Sequence, residues 1–235
     1  MIVCPPRTGS GLLASLLDSQ PGVRCEGEIL KAVDERPHRT LDGSAALARG
    51  AGKALWGCKI ITMHLQWYER GYGPPVEFVA GLADRGYDIV LLRRRDLLMQ
   101  ALSAAHAVRT KYHFTADDAV SRDAMEVDPE RILYLLYAIE EQDRLAASIA
   151  DAVEHIPLWY EDDLLTTTAQ QATIDRLAPL LGYTAAPIRT DLVAGLPPRL
   201  HDRVRNLDAL EAVLEPTRYQ ALLEASRSRR EAEDD

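Results

Sequence analysis

Cysteine is scarce in this chain and shows no pairing pattern. Cys4, Cys25 and Cys58 are the only three in 235 residues, and no two of them form a C-x-x-C. An odd number at such spacings excludes a disulfide framework as the basis of the fold and implies a reducing, cytoplasmic setting. Positive charge is also short, with 27 Lys and Arg against 36 Asp and Glu and a formal charge of -9. Nucleic acid is therefore not an expected partner, because phosphate backbones are held by an excess of Lys and Arg. Any anionic ligand must be met by a local cluster of cations or by helix N-termini. No apolar run approaches the length that spans a bilayer. Polar and glycine residues begin by position 7, unlike a secretory signal. The expectation is a soluble protein without a membrane span. Internal repeats and low-complexity linkers are missing too, so residues 1–225 read as one α/β domain followed by a charged, frayed tail, Ser226–Asp235.

What is present suffices for a core: 47% hydrophobic and 27% charged residues. Short apolar runs at "MIVC", Ala54–Thr62, Tyr87–Arg93 and Val153–Tyr160 read as strands. Their near-continuous apolar character suits a sheet covered on both faces. Helical patterns fall between them, at Ser10–Ser19, Val76–Arg85, Asp96–Arg109, Pro129–Val153 and Ala169–Leu181. Asp128-Pro129 supplies an N-cap with proline at the first helical position, and Gly182 a C-cap. Strands alternating with helices predict a three-layer, P-loop-like α/β fold. Its central, mainly parallel sheet is flanked by helices, and a largely helical C-terminal part packs over it.

Strand, glycine-containing turn, helix is the arrangement that binds phosphate, because the first N–H groups of a helix lack partners and its dipole favours an anion. In "PPRTGSGLL" the hydroxyls of Thr8 and Ser10 and the N–H groups of Gly9, Ser10, Gly11 and Leu12 can converge on one oxyanion, with Arg7 adding a permanent cation. The triphosphate-binding G-x-x-x-x-G-K-[ST] pattern is absent. So is an acidic strand end for magnesium, since the second and third strand candidates end in Thr62 and Arg93. A second basic feature, "LLRRRDLLMQALS", places Arg93, Arg94 and Arg95 at the end of the third strand candidate, where open α/β sheets hold their ligands. Read alone, those arginines also fit a solvated corner, and Glu26 and Glu28 of "CEGEIL" fit exposed loop acids or a helix cap. "WYEDD", Trp159–Asp163, reads as a strand end and turn whose Glu161 and Asp162 cap the next helix.

Taken in order, "PPRTGSGLLASLL", "CEGEIL", "WGCKI", "LLRRRDLLMQALS", "IPLWYEDDLL" and "LHDRVRNLDALEAVLEPTRY" resemble the sulfotransferase superfamily. They look most like the bacterial branch that contains the trehalose sulfotransferase, from Ile2 to about Leu222. The resemblance implies 3'-phosphoadenosine 5'-phosphosulfate (PAPS) as sulfuryl donor and PAP as product, with no metal. It implies that Arg7, Thr8, Gly9, Ser10, Gly11 and Leu12 surround the 5'-phosphosulfate. Arg95 and Ser103 match the family's 3'-phosphate pair in spacing, and Glu28 falls where this branch has its general base, with Glu26 as rival. Gly11 stands where the loop commonly carries Thr or Ser, so one hydroxyl ligand is missing. Tyr112 stands near where an aromatic follows the serine segment.

"CKIITMHL" is similar to the family's strand with a lysine and a later histidine. Lys59 either helps to hold the sulfuryl group or snorkels from its strand, and His64 is either an alternative base or an ordinary histidine. His106 and His113 lie near the arginine segment without an identifiable partner. The acceptor implied is a hydroxylated small molecule or carbohydrate. Its pocket is expected in loops such as Ile61–Pro75, whose Trp, Tyr and Gly suit sugar stacking, loop packing or a homodimer interface. Two other readings stay open, a degenerate P-loop nucleotide kinase or triphosphatase and a non-catalytic nucleotide-binding relative.

Overall fold

A computed structural model describes residues 1–30, 36–67, 73–110, 124–192 and 199–225. Tyr112, His113, the stretch 68–72 of the aromatic loop and the charged tail lie outside them. The chain divides into two compact units. The first comprises Met1–Arg95 and Gln142–Thr190, and the second comprises Asp96–Glu141 and Asp191–Asp235.

The first unit is built on five parallel strands: β1 (Ile2–Cys4), β2 (Val23–Glu26), β3 (Leu55–Ile61), β4 (Val90–Arg93) and β5 (Ile156–Trp159). Their order is β2-β3-β1-β4-β5, which puts the first strand in the middle. Ile2 pairs with Lys59 on one side and Val90 on the other, and Leu92 pairs with Leu158. All pairs are parallel, as the alternation of strand and helix requires.

Successive side chains leave a strand on opposite faces, and each face of the sheet has its own core. Val3, Cys58, Ile60 and Leu91 face one core, with Leu41 of α2 (Pro37–Gly50), Phe78, Val79 and Leu82 of α4 (Pro75–Asp84), and Ala146 and Ile149 of α6 (Pro129–Ala152). Ile2, Cys4, Ile61, Val90 and Leu92 face the other, with Leu13, Leu16 and Leu17 of α1 (Ser10–Asp18) and Ile174 and Leu177 of α8 (Thr167–Leu181). Two one- to two-turn helices follow strands directly, α3 (Thr62–Trp67) after β3 and α7 (Tyr160–Asp163) after β5. The α/β class with a parallel sheet is as expected. The edge strand β2 and helix α2 had no counterpart among the expected elements.

The second unit is helical among the described residues. Leu98 and Leu102 of α5 (Leu97–Thr110), Ile132 and Leu136 from the first half of α6, and Leu210 and Leu214 of α9 (Leu207–Leu214) form its core, with Leu223 from the helical stretch 220–225. The Asp128 carboxylate caps α6 by accepting from the N–H groups of Glu130 and Arg131. In the C-terminal part residues 183–192 have no regular structure, and α9 belongs to this second core. No helix among the described residues is long and apolar enough to cross a membrane.

Candidate functional site

The carboxyl end of β1 opens into the loop before α1. This is the middle of the sheet and the point where strand order reverses, since β2 and β3 lie to one side and β4 and β5 to the other. Ligands of open α/β sheets bind at such a point. Two residues of the loop take left-handed backbone angles, Arg7 at φ 66° and Gly9 at φ 88°. For arginine that region is uncommon. Gly9 is the N-cap residue of α1 and offers no side-chain cap, and the first-turn N–H groups have no helical carbonyl to meet. Thr8 is fully buried, and its hydroxyl donates to the Pro5 carbonyl at 3.0 Å. Ser10 is also buried, near the Cys4 thiol, which itself donates to the Ile60 carbonyl at 3.9 Å. A side chain at Gly9 would force a shift: its Cβ would lie 2.7 Å from Cδ2 of Tyr160.

The sheet's pleat decides which charged groups reach this loop. Cys58 and Ile60 face the α2 side, so Lys59 between them faces the α1 side with Ile61. It is 4% exposed. Its Nζ lies 2.8 Å from Oε1 of Glu28. The backbone supports that pairing, since the Lys59 N–H donates to the Gly27 carbonyl at 3.3 Å. Lys59 therefore does not snorkel; it is half of an ion pair whose other half is 22% exposed. His64, on α3, stands 4.0 Å from the other Glu28 oxygen, and both line a small recess with Leu30, Ile61 and Leu65. Glu26 turns to Arg24, with 3.6 Å between Oε1 and Nε.

The three arginines separate in the same way. Arg93 faces α6, where Asp143 accepts a forked pair of hydrogen bonds at 2.9 and 2.7 Å. Arg95, half exposed, makes a similar fork with Asp162 at 2.7 and 2.6 Å. Both guanidinium groups lie over the Trp159 ring. Arg94 turns to the α1 loop. Its Nη1 donates to the Arg7 carbonyl at 3.4 Å, and its guanidinium lies 4.3 Å from the centre of the Tyr160 ring. Only 10% of its side chain is exposed, and the nearest carboxylate oxygen, on Glu161, is 3.8 Å from Nε. Glu161 and Asp162 are thus not helix caps. Glu161 accepts from the Arg95 N–H at 3.1 Å, and the α8 cap is Thr166, whose hydroxyl accepts from Ala169.

The electrostatics follow from these positions. Burial and the nearby Arg94 charge both push Arg7 below the usual arginine range, and Glu28 partly restores it. Arg7, Arg94 and Lys59 against Glu28 and Glu161 leave a local surplus of positive charge, in a chain whose net charge is -9. Burial pushes the Cys4 thiol up, against the Ser10 and Thr8 hydroxyls and the Lys59 charge. That places β1, the loop, Lys59 and Glu28 in one electrostatic neighbourhood. The arrangement can hold an anion against a helix N-terminus, with a carboxylate and an imidazole beside it.

Arg7 to Leu12, Glu28 and Arg95 all lie in the first unit, whereas Ser103, on α5, and the buried His106 belong to the second. Tyr160 was not singled out from the sequence, Glu161 was read as a helix cap, and Arg94 was read only as one of three arginines at a strand end. The one signal for Arg94 was its place in the arginine run, and alternation along a strand divides such a run between the two faces. No cluster of His, Cys, Asp and Glu able to hold a metal occurs among the described residues. The sequence matches no family model and no curated protein.

Proposed function

We propose that the loop after β1 receives the 5'-phosphosulfate of PAPS and that the protein is a sulfotransferase acting on a hydroxyl of a small molecule or carbohydrate. The observation that carries this reading is the surplus of cations, buried Lys59 with partly buried Arg7 and Arg94, gathered at the N-terminus of α1 with Glu28 alongside. PAPS supplies an activated sulfuryl group, and PAP is the leaving product. Arg7, the Ser10 hydroxyl and the N–H groups of Gly9 to Leu12 hold the anionic end, with Thr8 bracing the loop through its bond to Pro5, and positioning and charge stabilisation supply most of the rate. Glu28 takes the proton of the acceptor hydroxyl, a role typically worth about 10²- to 10⁴-fold. The family resemblance assigns Arg95 to the 3'-phosphate, and Arg95 must exchange Asp162 for that ligand.

The Lys59–Glu28 pair bears on the base. A carboxylate 2.8 Å from an ammonium is a weak proton acceptor. An anion at the loop competes for Lys59 and frees Glu28 as the donor binds. The same pair, together with Gly11, also favours a second reading, a relative that binds the nucleotide without turnover. Calorimetric titration with PAP, adenosine 5'-phosphate and magnesium-ATP tests the proposal. Binding that depends on the 3'-phosphate supports it, and binding of magnesium-ATP alone returns the loop to the kinases.

A further inference from the structure

We propose that Arg94 is a direct ligand of the anion at the α1 loop. With Arg7 it forms a guanidinium pair that selects a doubly charged group, a phosphosulfate or a diphosphate, over a monoanion. The inference rests on the loop as an anion site and not on sulfuryl transfer.

Three observations on Arg94 carry it. Each neighbour in the run has its fork filled by a carboxylate, Asp143 for Arg93 and Asp162 for Arg95. Arg94 has no such fork, and its Nε is buried without a hydrogen-bond acceptor. A donor left unmade inside a protein calls for an explanation, and a ligand oxygen supplies one. The second observation is placement. The Tyr160 ring that Arg94 stacks on is the ring a Cβ at Gly9 would strike, so one side chain fixes both the guanidinium and the loop. Nη1 meanwhile reaches the carbonyl of Arg7, which ties Arg94 to the loop itself.

The third observation is the charge balance. Arg7 and Arg94 carry like charges close together, and burial first, then the Arg94 charge, lowers the affinity of Arg7 for its proton. Of the nearby carboxylates, Glu28 holds Lys59 at 2.8 Å, and Glu161, whose Oε2 accepts from the Arg95 N–H, keeps Oε1 3.8 Å from Arg94 Nε, an ion pair too long for a hydrogen bond. A monoanion leaves one of two poorly hydrated guanidinium groups uncompensated, and a dianion satisfies both.

The test is calorimetry of the full chain with inorganic pyrophosphate, PAP and adenosine 5'-phosphate, comparing wild type, Arg94→Gln and Arg94→Lys, each checked for folding by thermal unfolding. Wild type is expected to bind pyrophosphate and PAP. Arg94→Gln should weaken both by about 10- to 100-fold, the value of a charge-assisted hydrogen bond. Its preference for PAP over adenosine 5'-phosphate should not change, because the group at the loop is common to both. Arg94→Lys should fall between the two, keeping the charge without the planar fork; it decides the question if the glutamine variant does not fold. Wild-type affinity for pyrophosphate in a folded variant overturns the assignment. So does loss of the PAP preference, which would move Arg94 to the 3'-phosphate, and so does a wild type that binds none of the three. Pyrophosphate binding that depends on Arg94, in a protein indifferent to PAP, upholds the inference and removes the sulfotransferase reading.

Discussion

Gly9→Ala tests the loop's geometry without reference to any ligand. Two costs are expected. A non-glycine residue at φ 88° pays roughly 1–2 kcal/mol for the left-handed backbone, offset by about 0.4–1 kcal/mol from a stiffer unfolded chain. The new methyl would also lie 2.7 and 3.0 Å from Tyr160 and 3.4 Å from Leu164. Carbon atoms prefer about 3.5–4.0 Å, and overpacking of this kind typically costs about 1–3 kcal/mol. The sum is roughly 1–5 kcal/mol. Gly182→Ala is the control: its φ is 74°, and nothing lies within 4 Å of the added methyl, so it pays the backbone cost alone. Urea unfolding followed by tryptophan fluorescence reads the first unit, because Trp56, Trp67 and Trp159 all belong to it. Combining Gly9→Ala with Tyr160→Ala should recover the steric share and leave the backbone share, a favourable coupling of about 1–3 kcal/mol. If Gly9→Ala destabilises no more than Gly182→Ala, Tyr160 does not support the loop as described.

Glu28→Gln should leave PAP binding intact and lower turnover by at least about 100-fold; normal turnover by the purified variant removes the base assignment. Arg95→Ala should weaken PAP much more than adenosine 5'-phosphate while leaving the melting temperature nearly unchanged, since its partner Asp162 is exposed. Equal weakening of the two nucleotides takes Arg95 out of the 3'-phosphate site. Burial pushes the Cys25 and Cys58 thiols from 9.0 up to about 12. The unfolded chain therefore releases these protons first, so stability is intact below about pH 9 and falls as pH rises from there towards 12. Urea midpoints measured across that range check the slope, and a flat profile would show the thiols to be solvated in the native state.

Four of the five strands could be read from the sequence because buried parallel strands are continuously apolar. β2 was hidden for the converse reason: "VRCE" is a four-residue edge strand that alternates Val and Cys inward with two charges outward. Helix α2 was masked by a polar, glycine-containing stretch whose apolar contacts are few, Leu41 chief among them. The loop was legible because its chemistry is local, from Arg7 to Leu12. The groups around it were not, because the pairing of β1 with both β3 and β4 brings them there. Lys59 looked like a strand lysine reaching solvent until the pleat turned it inward, and nothing in "RRRD" says which arginine faces which side. The acids of "WYEDD" resembled helix caps because capping is a local rule, whereas their partners lie more than sixty residues away.

The strand order also sets a timetable for synthesis. β4 ends at Arg93 and its neighbour β5 begins at Ile156, with the first segment of the second unit emerging between them. Until β5 leaves the ribosome, β4 presents an unpaired edge of Val90, Leu91 and Leu92, and such edges recruit other chains. Tyr160 and Glu161 follow β5 directly, so Arg94 has neither its ring nor its nearest carboxylate before then. A nascent chain halted short of residue 156 is thus prone to aggregation and carries the loop after β1 with no wall behind it. The site is completed late, after the helices that interrupt the sheet have been made.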